Sequence, residues 1–141
     1  MTEFTINVFN ESRFEHGLTK PLIADAFQIL CKDHNKLPGW LNVILMQTKG
    51  HNSLNFKYLQ HDYETDVLTF NFNEPDQING EIYINIEVAK VNATALEQPL
   101  TTELNRLIIH GILHLLGFDD DTDEQREYMR SLEDKYLSCF M

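Results

Sequence analysis

Between residues 106 and 120 the chain reads RLIIHGILHLLGFDD, with Leu107, Ile108, Ile109, Ile112, Leu113, Leu115 and Leu116 covering nearly every side of a helical wheel. A helix that is apolar all round is one buried inside a domain. Glu103, Arg106, His110, His114 and Gly117 recur through this region at steps of three and four, so a polar seam runs down one face of the predicted helix. Burying an unpaired polar group costs about 1–3 kcal/mol, which makes the seam the lining of a cleft, a metal site or a hydrogen-bond network rather than bare core. Gly117 supplies the stop, because glycine adopts the left-handed conformation that ends helices.

The rest of the chain patterns into shorter elements. Residues 4–9 (FTINVF), 40–47 (WLNVILMQ), 66–72 (DVLTFNF) and 81–85 carry the alternation or the β-branched and aromatic content of strands. Helical spacing runs from Leu18 to His34, with Thr19 as N-cap and Pro21 in the first turn, and short helices are expected at 49–58 and 87–96. Leu37-Pro38-Gly39 reads as a break, residues 73–80 (NEPDQING) as a loop, and His61-Asp62 as part of a polar turn. Trp40 is expected in the core. After Pro99, Thr101, Thr102 and Glu103 suit the free amides that open the central helix. Thr122 opens a last helix whose Tyr128, Met129, Leu132, Tyr136 and Leu137 are expected to pack on the sheet.

Composition narrows the class. A chain of 141 residues with 43% hydrophobic content builds one core, so a single domain over 1–141 is expected. No run of eighteen apolar residues and no basic-then-apolar leader occurs, which predicts a cytoplasmic protein with no membrane partner. Cys31 and Cys139 give neither a disulfide framework nor a CxxC pattern and read as reduced thiols. The net charge of −11 argues against a polyphosphate partner. It is not a tail effect, since the region from Gly117 onward holds eight acidic and three basic residues. Lys49, Lys57, Lys90 and Arg106 are the cations available for a local patch.

Chemistry gathers on the seam. His110 and His114 stand four apart, so both imidazoles reach one point, and the turn at Gly117 brings back Asp119, Asp120 or Asp121. Two neutral imidazoles and a carboxylate form a three-ligand set that leaves a coordination position open, as in catalytic zinc sites. Gly111 stands where the metalloprotease H-E-x-x-H carries its glutamate base, which disfavours peptidase action.

The run HGILHLLGFDD at 110–120 resembles the signature H-G-x-L-H-L-x-G-[YF]-D-H of the YbeY family of bacterial metal-dependent endoribonucleases, matching every specified position except the last. LNFKY at 54–58, TDVLTF at 65–70 and GEIYIN at 80–85 are similar to further blocks of that family in the same order, so the resemblance covers most of the chain. It implies an α+β single domain with a four-stranded mixed sheet, about five helices and a metalloprotease-like metal helix near the C-terminus. It also implies zinc or another divalent transition metal on His110, His114 and Asp120, the last in place of the family's third histidine. A family arginine implicated in catalysis is Leu59 here, and Arg106, on the same seam as His110, is the cation placed to take over that role. The implied function is metal-dependent cleavage of single-stranded RNA in ribosomal RNA maturation, at the 3′ end of the small-subunit RNA, and in ribosome quality control. His110 and Arg106 are then the expected catalytic residues, Asp119 a carboxylate that orients a ligand histidine, RNA and the small ribosomal subunit the partners, and DNA is not one. Two alternatives stay open: a ribosome-associated RNA-binding module with weak or no catalysis, and a non-haem iron oxygenase built on the same two-histidine, one-carboxylate set.

Overall fold

Strands form where alternation is cleanest. In the computed structural model, which describes residues 3–59 and 65–140, β1 (Thr5–Asn10), β2 (Leu37–Met46), β3 (Val67–Asn71) and β4 (Gln77–Asn85) make one sheet in the order β1-β2-β4-β3. β1, β2 and β4 run parallel while β3 is antiparallel to β4, so the sheet is mixed, as expected. Leu41, Val43 and Leu45 lie in register with Gly80, Ile82 and Ile84, and all six are buried on one face. That face meets α1 (Lys20–Asp33), through Ile23, Phe27 and Leu30, and α4 (Leu100–Leu115), through Leu107, Ile108 and Ile112. Three more helices complete the described residues: α2 (Thr48–Leu59), α3 (Ile86–Ala95) and α5 (Asp123–Phe140). None of the five is long and apolar enough to cross a membrane.

Several local expectations are corrected. Leu37-Pro38-Gly39 does not break the chain but opens β2, with a register shift between Pro38 and Trp40. The Asn79 side chain explains the shift: its Oδ1 accepts from Trp40 N at 3.1 Å, and it occupies the space where a side chain at Gly39 would stand. Residues 77–80 are accordingly strand rather than loop, because they pair with this early part of β2. Trp40 is only half-buried, its ring 5.5 Å from that of exposed Phe72.

Helix starts differ too. Thr19 takes the N-cap backbone position before α1, with Pro21 in the first turn, but its side chain makes no capping bond. Pro99 is the N-cap of α4, again without a side-chain bond, since Thr101 Oγ1 donates to His16 O and Glu103 turns to Arg106. Where capping does occur it is strong: Asn85 Oδ1 accepts from Glu87 N and Val88 N at the start of α3, and Thr122 and Gln125 exchange bonds before α5. α5 packs on α4 and α1 rather than chiefly on the sheet, with Tyr136 donating its hydroxyl to Asp33. Both cysteines are free, and burial pushes the Cys31 thiol up to about 12. His61 and Asp62 lie outside the described residues.

Candidate metal centre

Two glycines bring the seam-bearing helix onto the sheet. A Cβ at Gly111 would stand 2.7–3.0 Å from three Ile82 carbons, and one at Gly80 would stand 2.5 Å from Leu115 Cδ1. With α4 laid this close to β4, its apolar flanks are consumed by the core and the seam is left facing α5 and the surface. At the helix end Gly117 has φ of 100°, Gly117 N donates to His114 O, and Phe118 N donates to Leu113 O, both at 3.0 Å. This paired C-terminal cap reverses the chain, and Phe118 anchors it against the core.

The reversal selects one aspartate. Asp120 Oδ2 lies 3.3 Å from His110 Nε2 and 3.4 Å from His114 Nε2, and the two ring nitrogens are 3.0 Å apart. Asp119, the residue expected to orient a ligand histidine, is exposed. Three donor atoms thus converge on one point, half open to solvent. Zinc bonds of about 2.0–2.2 Å in a tetrahedral arrangement space neighbouring ligand atoms by about 3.3–3.5 Å. The observed separations fit a single ion held by His110, His114 and Asp120, which form a group of potential metal ligands.

Behind His110 stands a residue the sequence reading passed over. Glu133 Oε2 lies 2.6 Å from His110 Nδ1, while Glu133 Oε1 accepts from Arg106 Nη1 at 2.6 Å. Arg106 also clasps Glu103 through Nε and Nη2, at 2.7 and 2.6 Å. Glu133 is 3% and Glu103 2% exposed, so these carboxylates have left water for charged partners. The signal was present in α5: Met129, Leu132 and Tyr136 are its buried stripe, and Glu133 sits on that stripe, an acid among core positions.

Electrostatics follow from the contacts. Burial pushes the His110 imidazole down, but the hydrogen bond and charge of Glu133, with Asp120 adding, outweigh it and raise the ring above its usual range. Burial pushes Glu133 up, and its bonds to His110 and Arg106 win, holding it below the usual carboxylate range. Arg106 faces two carboxylates and is held even more firmly as a cation. Lys90 Nζ lies over the Phe14 ring at 3.6 Å, and Lys49 lines a groove with Glu11, Arg13 and Met46.

The chain is similar to known proteins over most of its length. Residues 6–141 match the family model described as Endoribonuclease YbeY. A protein named endoribonuclease YbeY from Chlorobaculum parvum is 35% identical over 94% of this chain and 92% of its own length. Another of that name from Phocaeicola vulgatus is 47% identical over 60% of this chain and 62% of its own length. The solution structure of TM1509 from Thermotoga maritima is similar with a TM-score of 0.62 and 29% identity, covering 94% of this chain and 87% of that one.

Proposed function

This chain belongs to the YbeY endoribonuclease family, and from that premise we propose that it is a metal-dependent endoribonuclease of single-stranded RNA, with His110, His114 and Asp120 as its metal ligands. One observation carries the reading: the three ligand atoms converge, at 3.0–3.4 Å from one another, at the end of a helix whose other faces are core. When bound, a divalent metal supplies Lewis acidity for hydrolysis of a phosphodiester. Zinc suits two imidazoles and a carboxylate. Asp120 brings one negative charge where the family's signature has a neutral imidazole, which favours somewhat harder divalent metals than a three-histidine set does.

Each side chain has a place in this scheme. His110 and His114 present Nε2 to the shared point, and Asp120 closes the set while standing about one-third exposed, at the edge where a substrate phosphate approaches. Arg106 contributes through Glu133, the carboxylate it shares with His110. RNA is the expected substrate because proteins named endoribonuclease share most of the chain, and not because of charge, which at −11 opposes it. The finer assignment is to maturation of the small-subunit ribosomal RNA at its 3′ end and to ribosome quality control, in the cytoplasm, with the small ribosomal subunit as partner.

The test is metal content by mass spectrometry of untagged protein, beside cleavage of a single-stranded RNA, for wild type, His110→Ala and Asp120→Ala. Near-stoichiometric metal and cleavage in wild type, both lost in the variants, are expected. An Asp120→Ala protein that holds metal and cuts RNA like wild type overturns the ligand assignment. Wild type that binds RNA without cutting it, with or without metal, turns the reading to a binding module.

A further inference from the structure

We infer that Glu133 is the positioning residue of this centre: it fixes His110 as the Nδ1–H tautomer, so that Nε2 offers its lone pair to the metal, and Arg106 with Glu103 holds Glu133 in place. The inference rests on the proposed metal site and adds to it a layer carried by α5.

Geometry makes the assignment. A neutral imidazole has one donor and one acceptor nitrogen, and which is which is set by the partner of the nitrogen facing away from the ligand point. At His110 that nitrogen is Nδ1, and a carboxylate oxygen, an acceptor only, lies 2.6 Å from it. Glu133 cannot swing aside, because its other oxygen accepts from Arg106 Nη1 at 2.6 Å and Arg106 is itself gripped by Glu103 through two nitrogens. The line Glu103–Arg106–Glu133–His110 therefore ties two helices together and ends at the ligand atom.

His114 is held differently. Among the described residues no carboxylate meets its second ring nitrogen. Charge supports the same assignment. Glu103, Glu133 and Asp120 outnumber the one cation Arg106 by two, an excess that a divalent ion balances. Arg106 is thereby spent on two protein carboxylates, which makes it a buttress for His110 rather than a direct contact for phosphate.

The experiment compares untagged wild type and Glu133→Gln, by zinc titration against a competing chelator and by long-range proton–nitrogen NMR of the imidazoles in the zinc-loaded proteins. Carboxylates that orient ligand histidines are worth about 10–100-fold in metal affinity. Glu133→Gln is expected to bind zinc more weakly by that factor, and the His110 Nδ1–H signal, present and slowly exchanging in wild type, is expected to shift or broaden while His114 is unmoved. Equal zinc affinity with an unchanged His110 signal overturns the inference and leaves the metal reading standing. Zinc on His110 Nδ1 in wild type overturns it too, and that spectrum decides even if Glu133→Gln fails to fold. Wild type that takes up no zinc overturns the metal reading and this inference together.

Discussion

Two histidines of this chain lie beside a glycine in a helix with little of their side chains exposed, and their surroundings push them in opposite directions. His51, in α2, shows no exposed surface; its Nε2 meets the carbonyl oxygen of Tyr83 at 2.9 Å, and among the described residues its Nδ1 has no hydrogen-bond partner. Burial is the largest influence there and outweighs that bond and the charge of Asp66, so the ring is held below its usual range. His110 is also largely buried, yet Glu133 and Asp120 raise it. Burial alone therefore does not mark a functional histidine. What separates the two is the partner set: at His51 a single carbonyl oxygen does not offset burial and the imidazole is held neutral, whereas two carboxylates and a facing imidazole build a place for a cation.

The comparison breaks most visibly if the carboxylate behind His110 is removed. In metal-free protein Glu133→Ala leaves the Arg106 guanidinium with Glu103 alone and His110 Nδ1 with no acceptor, and losing one member of such a buried network costs about 3 kcal/mol. Urea denaturation reads this directly. His51→Gln, which keeps a donor able to reach the Tyr83 carbonyl, is expected to stay within about 1 kcal/mol of wild type. Equal losses would mean that the two sites are stabilised alike and that the carboxylate network is not special.

The flanking glycines sharpen the same contrast at smaller cost. Gly111 follows His110 and lies against Ile82, where an added methyl has three side-chain carbons within 3.0 Å. Gly111→Ala is expected to destabilise by about 1–3 kcal/mol through overpacking, despite the gain in helix propensity. Gly50 precedes His51, and a Cβ there meets only the mobile end of Met46, at 3.0 Å. Gly50→Ala is expected to be neutral or to stabilise by about 0.5 kcal/mol. Melting temperatures of the two variants should move in opposite directions or differ by several degrees. The glycine of the HGxLH run lets α4 lie this near to the sheet.

Much of this was legible in residue order, and the part that was not has a physical cause. The seam of Arg106, His110 and His114 could be read because a regular helix converts spacing into a face, and Gly117 could be read because a stop needs a left-handed residue. Choosing Asp120 among three aspartates rested on the family resemblance, since a loop has no period. Pro38 and Gly39 misled because a strand bulge and a chain break use the same residues, and only the Asn79 side chain from β4 decides between them. Thr101 and Thr102 look like caps until His16, eighty-five positions upstream of Thr101, claims a hydroxyl. Glu133 lies twenty-three residues from His110, and only the packing of α5 on α4 makes them neighbours. An acid on an apolar stripe was the one local hint.

The smallest expected effect, and the most direct on the two histidines, is the pH dependence of metal-free stability. His51 has an ordinary value of 6.5 and a lower one in the folded chain, so on acidification the unfolded chain takes up its proton first. Its share of stability is complete above pH 6.5 and declines as pH falls from there through the depressed folded value. For His110 the folded value is raised above 6.5, so its share is complete below 6.5 and declines as pH rises through the folded value. Glu133 works at the acid end, with its share present above the ordinary 4.5 and lost as pH falls through its lowered folded value. Urea denaturation of metal-free protein between about pH 5 and about pH 8, where histidines titrate, should show His51→Gln flattening only the acidic limb and His110→Gln only the alkaline one. If both substitutions flattened the same limb, the two rings would share one environment, and the opposition between a structural and a cation-binding histidine would be wrong.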